Sequence, residues 1–459
     1  MRVAILPWGD PEGWKYVEYC FKNECVEGFS TLSLLTSSPE IRPNLILIYV
    51  LDTLYNNVEH TNYEDLTSRV RDKVKKYLCV SEELDIKIEV LPGIMKKRKK
   101  ELEIIFRANP NDTRLKLLHN TYLRILEKIN AEPENNTLEI LVDTTHGVNY
   151  FTILTREAVL EASAMLATHG KNVKVLVFNS DPFISKDLPG RSESDPCRPE
   201  DSKTTLKTEY NLLYEASIYP WDLTRYLRYS KNSVTKLLTD IRSCNLDQQR
   251  LEQLMSFSKK VVASYRVGAL VELLTLVREQ PEATREILNT ANKALECWSK
   301  KAKLEKLNEN TYRTSFTKLQ DGLRLLLHAH AIMSGAKKLI NQQQQTTLKE
   351  VKKARKNLLR GSEITSTLVN SEIGLIEKLS KESKIPKEWK LYTELLEKEP
   401  THEKDSRDIE RMKRNFIAHA GFLKNTLELR KGEDVELRVR KEYRDVIDEI
   451  LDKIFKELT

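Results

Sequence analysis

The feature that most constrains this fold is an alternation within residues 1–180. Five short runs, Arg2–Leu6, Asn44–Leu51, Ile86–Leu91, Thr137–Val142 and Val173–Phe178, are apolar and rich in β-branched side chains. Continuous apolarity over so few residues fits strands covered on both faces. Helical stretches lie between them. In Asp112–Asn130, the residues Leu115, Leu118, Tyr122, Ile125 and Ile129 fall on one stripe, and Tyr150–His169 follows a strand directly. Strand and helix alternating in this way predict a wound parallel sheet.

After Phe178 the texture changes. Asn179–Lys203 is rich in Ser, Asp and Pro and reads as a boundary. From Thr204 onward helical periodicity dominates, interrupted at Asn425–Arg440 by a β-hairpin pattern around Lys-Gly-Glu-Asp, with a terminal helix to Leu458. The expected organisation is α/β plus all-α: a sheet domain over 1–203, a helical connector over 204–250 and a helical domain with a hairpin over 251–459.

Composition narrows the function. The 459 residues carry a formal charge of +7, too even a balance for a chain coated in nucleic acid, so any basic site is local. Apolar runs fall short of a membrane span or a secretory signal, which leads us to expect a cytoplasmic protein. Six scattered Cys without a Cys-x-x-Cys pair suggest reduced, mostly buried thiols. With eight His and no His-x-x-x-His pair, no metal site is expected.

Three features converge on the carboxyl edge of the predicted sheet, where wound sheets bind ligands. Leu138–Asp143 runs into Thr144-Thr145-His146-Gly147-Val148-Asn149 at a helix start, which offers free amides, hydroxyls and an amide side chain to phosphate. The first strand ends in Pro7-Trp8-Gly9-Asp10-Pro11-Glu12-Gly13-Trp14, where Trp8 and Trp14 offer a stacking platform and the glycines allow close approach. The third is Lys96-Lys97-Arg98-Lys99-Lys100, after the Ile86–Leu91 strand. Taken singly they read as core tryptophans, a turn glycine and a solvated helix face; at one edge they favour a nucleotide or phosphate ligand. Neither glycine segment matches Gly-x-Gly-x-x-Gly or a Walker loop, which disfavours NAD and ATP.

The helical half holds a different chemistry. Three Arg–His pairs at four to five intervening residues occur: Arg114/His119, Arg324/His330 and Arg414/His419. The first two fit sheet-covering and core helices. In the third, Ile409, Met412, Phe416, Ala420 and Leu423 form the apolar stripe, so Arg414 points away from the core and Asn415 shares a face with His419. His can move protons near neutrality and Arg can hold phosphate oxygens, which suits RNA cleavage by the neighbouring 2′-hydroxyl without a metal. The bland alternative is an exposed Arg and an edge His on a surface helix. Lys349, Lys352, Lys353, Lys356 and Arg360 make a basic helical face that is ordinarily only solvated.

Asp143-Thr144-Thr145-His146-Gly147-Val148-Asn149 resembles the Asp-x-Thr-His-Gly-x-Asn segment of CARF (CRISPR-associated Rossmann-like) domains. Arg414-Asn415-x-x-x-His419 resembles the Arg-x4–6-His motif of HEPN ribonucleases, and the order CARF then HEPN matches the ancillary ribonucleases of type III CRISPR systems. The resemblance implies a Rossmann-like domain that dimerises and binds a cyclic oligoadenylate, most often cyclic tetra-adenylate, through Thr144, Thr145, His146, Gly147 and Asn149. The loop carrying Trp8, Gly9, Asp10 and Trp14 would be the second wall; Arg98 joins by the edge argument alone. It also implies an allosterically activated, metal-independent endoribonuclease for single-stranded RNA, its site composed of Arg414, Asn415 and His419 from two chains of a homodimer or larger assembly. The rival expectation is a ligand-sensing CARF transcriptional regulator that binds DNA through a helix-turn-helix-like connector and is not an enzyme.

Overall fold

The structure, a computed structural model, describes residues 1–55, 62–80, 84–99, 102–132, 136–183, 188–200, 206–238, 244–341, 343–396 and 408–459. The expected boundary at 203/204 and Lys100 of the basic run lie outside the described residues. The chain forms two compact units: residues 1–163, 171–218 and 296–319 in one, 164–170, 219–295 and 320–459 in the other.

In the first unit the five anticipated strands are present: β1 (Arg2–Trp8), β4 (Leu45–Leu51), β5 (Ile86–Leu91), β8 (Thr137–Asp143) and β9 (Asn172–Ser180). They pair in parallel in the order β9-β8-β1-β4-β5. Every residue of β4 is buried, as double coverage requires. Helices α1 (Leu32–Ser37), α2 (Tyr63–Lys76), α3 (Pro110–Ala131) and α4 (Asn149–Ala167) connect the strands. Asn109 caps α3 by accepting from the Asn111 N–H, and all five predicted stripe residues of that helix are buried. Strand order reverses between β1 and β8, so their carboxyl ends flank the switch-point crevice.

Three parts of this unit differ from expectation. A hairpin of β2 (Val17–Phe21) and β3 (Glu24–Gly28) ends the main sheet. The residues expected to open a helical connector form instead β10 (Lys207–Ile218), antiparallel to β9 and parallel to β2. It is followed by a 3₁₀ turn at Pro220–Tyr226, and no helix-turn-helix pair forms among the described residues of 204–250. The basic run is not a helix face: β6 (Ile94–Lys99) and β7 (Leu102–Arg107) form a second sheet with β11 (Lys303–Asn308) and β12 (Thr311–Ser315).

The cysteine expectation is also overturned. No described cysteine is free: Cys20 pairs with Cys25 directly across the β2–β3 hairpin, Cys79 pairs with Cys197, and Cys244 and Cys297 are disulfide-bonded as well. Scattered spacing conceals such pairs because strand register and tertiary approach create them.

The second unit is helical, with α5 (Gln248–Arg266), α6 (Leu270–Glu279), most of α7 (Ala283–Lys300), α8 (Asp321–Lys337), α9 (Leu348–Leu358), α10 (Glu363–Lys381), α11 (Tyr392–Leu395), α12 (Ile409–Ala418) and α13 (Arg444–Lys456). The anticipated hairpin is β15 (Leu427–Lys431) with β16 (Val435–Val439), flanked by the short β13 (Thr346–Thr347) and β14 (Lys390–Leu391). No described helix is long and apolar enough to cross a membrane.

Candidate functional site

At the switch point the two predicted loops meet. The Gly9 N–H donates to the His146 carbonyl at 2.7 Å. A Cβ at Gly147 would strike the Thr152 hydroxyl and lie 3.0 Å from the Pro7 carbonyl, so this close approach requires glycine. Trp14 stacks on the His146 ring at 4.2 Å, and His146 Nε2 is 3.2 Å from the Tyr19 hydroxyl. Although His146 keeps some surface, its imidazole is enclosed between these rings. Burial, with Arg191 nearby, pushes it down to about 3, so the ring stays neutral.

The tryptophans part company here. Trp8 is 1% exposed and belongs to the core, which corrects its expected role as a ligand platform; Trp14 stays partly exposed. Gly9 is buried as well. Asp10 is exposed, but its carboxylate accepts from the Glu12 N–H and pairs with Lys73 at 3.0 Å. Thr144 turns inward, its hydroxyl donating to the Phe178 carbonyl at 2.8 Å, while the Thr145 hydroxyl accepts from the Ser180 N–H at 3.0 Å. Both threonines therefore position the loop. Asn149 is exposed at the start of α4. Arg98 lies exposed on β6, and among the described residues no contact joins it to the Trp14–His146 cluster.

Three side chains outside the predicted ligand set organise this edge. The Asp143 carboxylate accepts from the Thr31 hydroxyl and from the Thr145 N–H at 3.0 Å; burial raises its pKa against those bonds. Asp52, fully buried at the end of β4, accepts from the Gly93 N–H at 2.7 Å and the Tyr63 hydroxyl at 3.1 Å, and burial pushes it up to about 7. Arg191 packs its guanidinium on Phe29 at 3.9 Å and donates to the Pro11 carbonyl at 3.0 Å, bracing the Trp14 loop.

In the second unit, α12 begins at Asp408, whose carboxylate accepts from the Glu410 and Arg411 N–H groups. Of the predicted stripe, Phe416, Ala420 and Leu423 are buried and Ile409 and Met412 half-buried, while Arg414 and Asn415 are exposed. The helix stops at Ala418; Ala420 and Gly421 take φ of 47° and 83° and reverse the chain directly after His419. The His419 side chain is 42% exposed, and its Nδ1 lies 2.8 Å from Oε1 of buried Glu372 on α10. Tyr392 donates to the other Glu372 oxygen at 3.2 Å. A carboxylate partner favours the tautomer with the imidazole hydrogen on Nδ1, which leaves Nε2 as the ring's acceptor. Asn415, on the same face, meets His419 only through its backbone carbonyl; Glu372 holds the ring. The other Arg–His pairs are structural: Arg114 pairs with buried Glu161, His119 is buried, and His330 is 5% exposed within α8. The α9 basic face is largely solvated, with Lys352 bonded to Glu377.

Among the described residues one His/Cys/Asp/Glu group is close enough to hold a metal, Glu18 with Cys20 and Cys25, and those sulfurs are joined to each other.

Two family models match parts of this chain. A family model described as the CARF domain of the CRISPR system endoribonuclease Csx1 matches residues 3–182, and that for the Csx1 HEPN domain matches residues 362–442, which include Glu372, Arg414, Asn415 and His419. The CRISPR system endoribonuclease Csx1 of Methanocaldococcus jannaschii is 31% identical over 187 residues, 40% of this chain and 38% of that protein. The match therefore spans well under half of that relative's length. Enterococcus italicus Csm6 bound to cyclic hexa-2′-fluoro-hexa-dAMP aligns over all of both chains at 11% identity and a TM-score of 0.24, too low to bear on this fold.

Proposed function

Because the chain belongs to the CARF–HEPN family of CRISPR ancillary ribonucleases, we propose that it is an endoribonuclease of type III antiviral defence, acting on single-stranded RNA in the cytoplasm. Its CARF half takes a cyclic oligoadenylate, with cyclic tetra-adenylate the first candidate. The observation that carries the reading is the Glu372–His419 pair beside Arg414 and Asn415, whose side chains have no partner among the described residues.

In the proposed reaction Nε2 of His419 takes the proton of a ribose 2′-hydroxyl, and the 2′-oxygen attacks the adjacent phosphorus. The bond to the 5′-oxygen breaks, leaving a 2′,3′-cyclic phosphate, and the leaving oxygen is protonated. Arg414 and Asn415 hold the charge developing on the phosphate oxygens. These steps use a base, an acid and a cation, all of which side chains supply, so no metal is invoked. Ile364, Leu368 and Leu375 form an exposed apolar stripe on α10, and Ile417 is exposed on α12. That exposed apolar face supports a homodimer in which a second copy covers it, two Arg414/His419 sets meet and one His419 supplies the acid. Activator would raise the rate by binding the active pairing more tightly than the resting one.

The test is labelled single-stranded RNA in EDTA, with and without cyclic tetra-adenylate, beside His419→Ala. We expect activator-dependent cleavage that the variant lacks. Cleavage without activator removes the switch from the proposal. Sequence-specific duplex binding with no RNA turnover under any cyclic oligoadenylate moves the assignment to the DNA-binding regulator.

A further inference from the structure

We propose that Arg225, Arg228 and Arg266 line a groove that holds the phosphate backbone of the RNA beside the cleavage site, an inference that rests on the ribonuclease reading above. The second unit contains a cavity of about 630 Å³ between the 3₁₀ turn, the end of α5 and the end of α13, walled by these arginines with Tyr229, Glu457 and Leu458. Arg228 and Arg266 are exposed, and their guanidinium groups have no partner among the described residues. Arg225 is 78% exposed and reaches only Asp222, at 3.3 Å. The acidic wall residue is already engaged, since Glu457 accepts from Lys413 at 2.8 Å. Three forked cations with spare donors thus face one concavity, an arrangement that suits phosphate oxygens.

The groove is built rather than incidental. Arg324 on α8 donates to the carbonyls of Tyr226 and Arg228 at 2.6 and 2.7 Å, fixing the turn that presents Arg225 and Arg228. The Tyr229 N–H donates to the Leu458 carbonyl at 2.8 Å, and its ring stacks on Phe455, tying that turn to the end of α13. Two contacts link the elements of the groove to α12 and to the turn that follows it. Glu457 bonds Lys413, the neighbour of Arg414. Arg266 ends α5, and two residues on the chain turns at Gly268 (φ 73°) so that Ala269 packs on Gly421, two residues after His419. In this proposal a strand whose scissile phosphate sits at Arg414 and His419 continues into the cavity. Such basic grooves track the backbone without reading bases.

The test measures binding of labelled single-stranded RNA to full-length protein in the His419→Ala background, across a salt series. Replacing all three arginines by Gln should weaken binding roughly tenfold to a hundredfold and reduce the slope of log affinity against log salt by about 2, at ~0.7 per lost phosphate contact. Replacement by Lys should retain most of the slope. If the triple variant fails to fold, Arg228→Gln and Arg266→Gln, which break no side-chain bond, carry the test singly. Unchanged affinity and slope while wild type cleaves RNA overturn the groove and leave the ribonuclease reading standing. Absence of both RNA cleavage and RNA binding in wild type overturns both. A loss confined to duplex DNA overturns the ligand class.

Discussion

Glu372→Gln is the most informative substitution for the proposed active site. The carboxylate lies 2.8 Å from His419 Nδ1 and is 6% exposed, so their bond is a charge-assisted one sheltered from water. Such a bond is worth about 1.5–3 kcal/mol, and at ~1.4 kcal/mol per decade its plain loss costs roughly 10- to 150-fold in kcat. The amide does more harm than a deletion. Tyr392 donates a hydrogen bond to the second Glu372 oxygen, so the amide carbonyl of the variant is kept on that side and its NH2 is turned toward His419. Nδ1 must then accept, the imidazole hydrogen moves to Nε2, and the base is lost. The expected loss for Glu372→Gln is therefore about 10²–10⁴-fold, above that of Glu372→Ala, since a wrong tautomer costs ~10⁴ in serine proteases. Single-turnover cleavage at saturating activator measures it, with the KM for RNA and the half-saturating activator concentration expected to stay constant. A variant that folds, binds both ligands and keeps kcat within about threefold of wild type would refute the dyad.

Four further outcomes follow from the geometry. Trp14→Ala removes the ring stacked on His146 at 4.2 Å; at ~1–3 kcal/mol for a base stack, half-maximal activation should need roughly 5- to 150-fold more activator with the maximal rate unchanged, and Asn149→Ala should act in the same direction. His146, held down to about 3, is neutral from pH 5 to 8; an activation midpoint that varies with pH over that range in wild type but not in His146→Gln would contradict the enclosed ring. Asp52 is raised from 3.8 to about 7, so the folded state binds the extra proton and stability falls as pH rises through that window, by ~4 kcal/mol from this group; Asp52→Asn should flatten the dependence of unfolding free energy on pH, and equal slopes in both proteins would refute it. The Cys79–Cys197 bond spans a sequence separation of 118; on the chain-entropy account its reduction or Cys79→Ser should cost up to about 4–5 kcal/mol, read as a lower melting temperature, and an unchanged melting temperature on reduction would show that the bond does not constrain the unfolded chain.

What the sequence disclosed and what it hid divide along physical lines. The central strands were legible because burial on both faces favours apolar residues: β4 has seven consecutive buried positions, and even β5, which carries Lys87 and Glu89, keeps Ile86, Ile88, Val90 and Leu91. The hairpin β2–β3 and strand β10 were not, because a strand with one solvated face mixes polar and apolar residues: Lys207–Ile218 reads Lys-Thr-Glu-Tyr-Asn-Leu-Leu-Tyr-Glu-Ala-Ser-Ile and leaves Leu212, Leu213 and Tyr214 exposed. Its neighbours β9 and β2 decide its state, and no local window contains them. The Cys20–Cys25 pair was hidden for the same reason, since without the hairpin the two residues are merely near in sequence.

The candidate sites follow the same division. The loop after β8 was legible because its glycine, hydroxyls and helix start are local, yet which of its side chains turn inward is set by partners elsewhere: Thr144 is drawn to Phe178 and Thr145 to Ser180, both on β9. Glu372 stands 47 residues from His419, so no spacing rule joins them. A signal was present all the same. Val369, Ile373, Ile376 and Leu379 are the buried positions of α10, and Glu372 sits among them. A carboxylate on the apolar face of an amphipathic helix cannot remain ionised without a partner. Its position predicts that a donor must come to it from another element, and in a chain with eight histidines, one of them beside the apolar stripe of its own helix, the candidates for that donor are few.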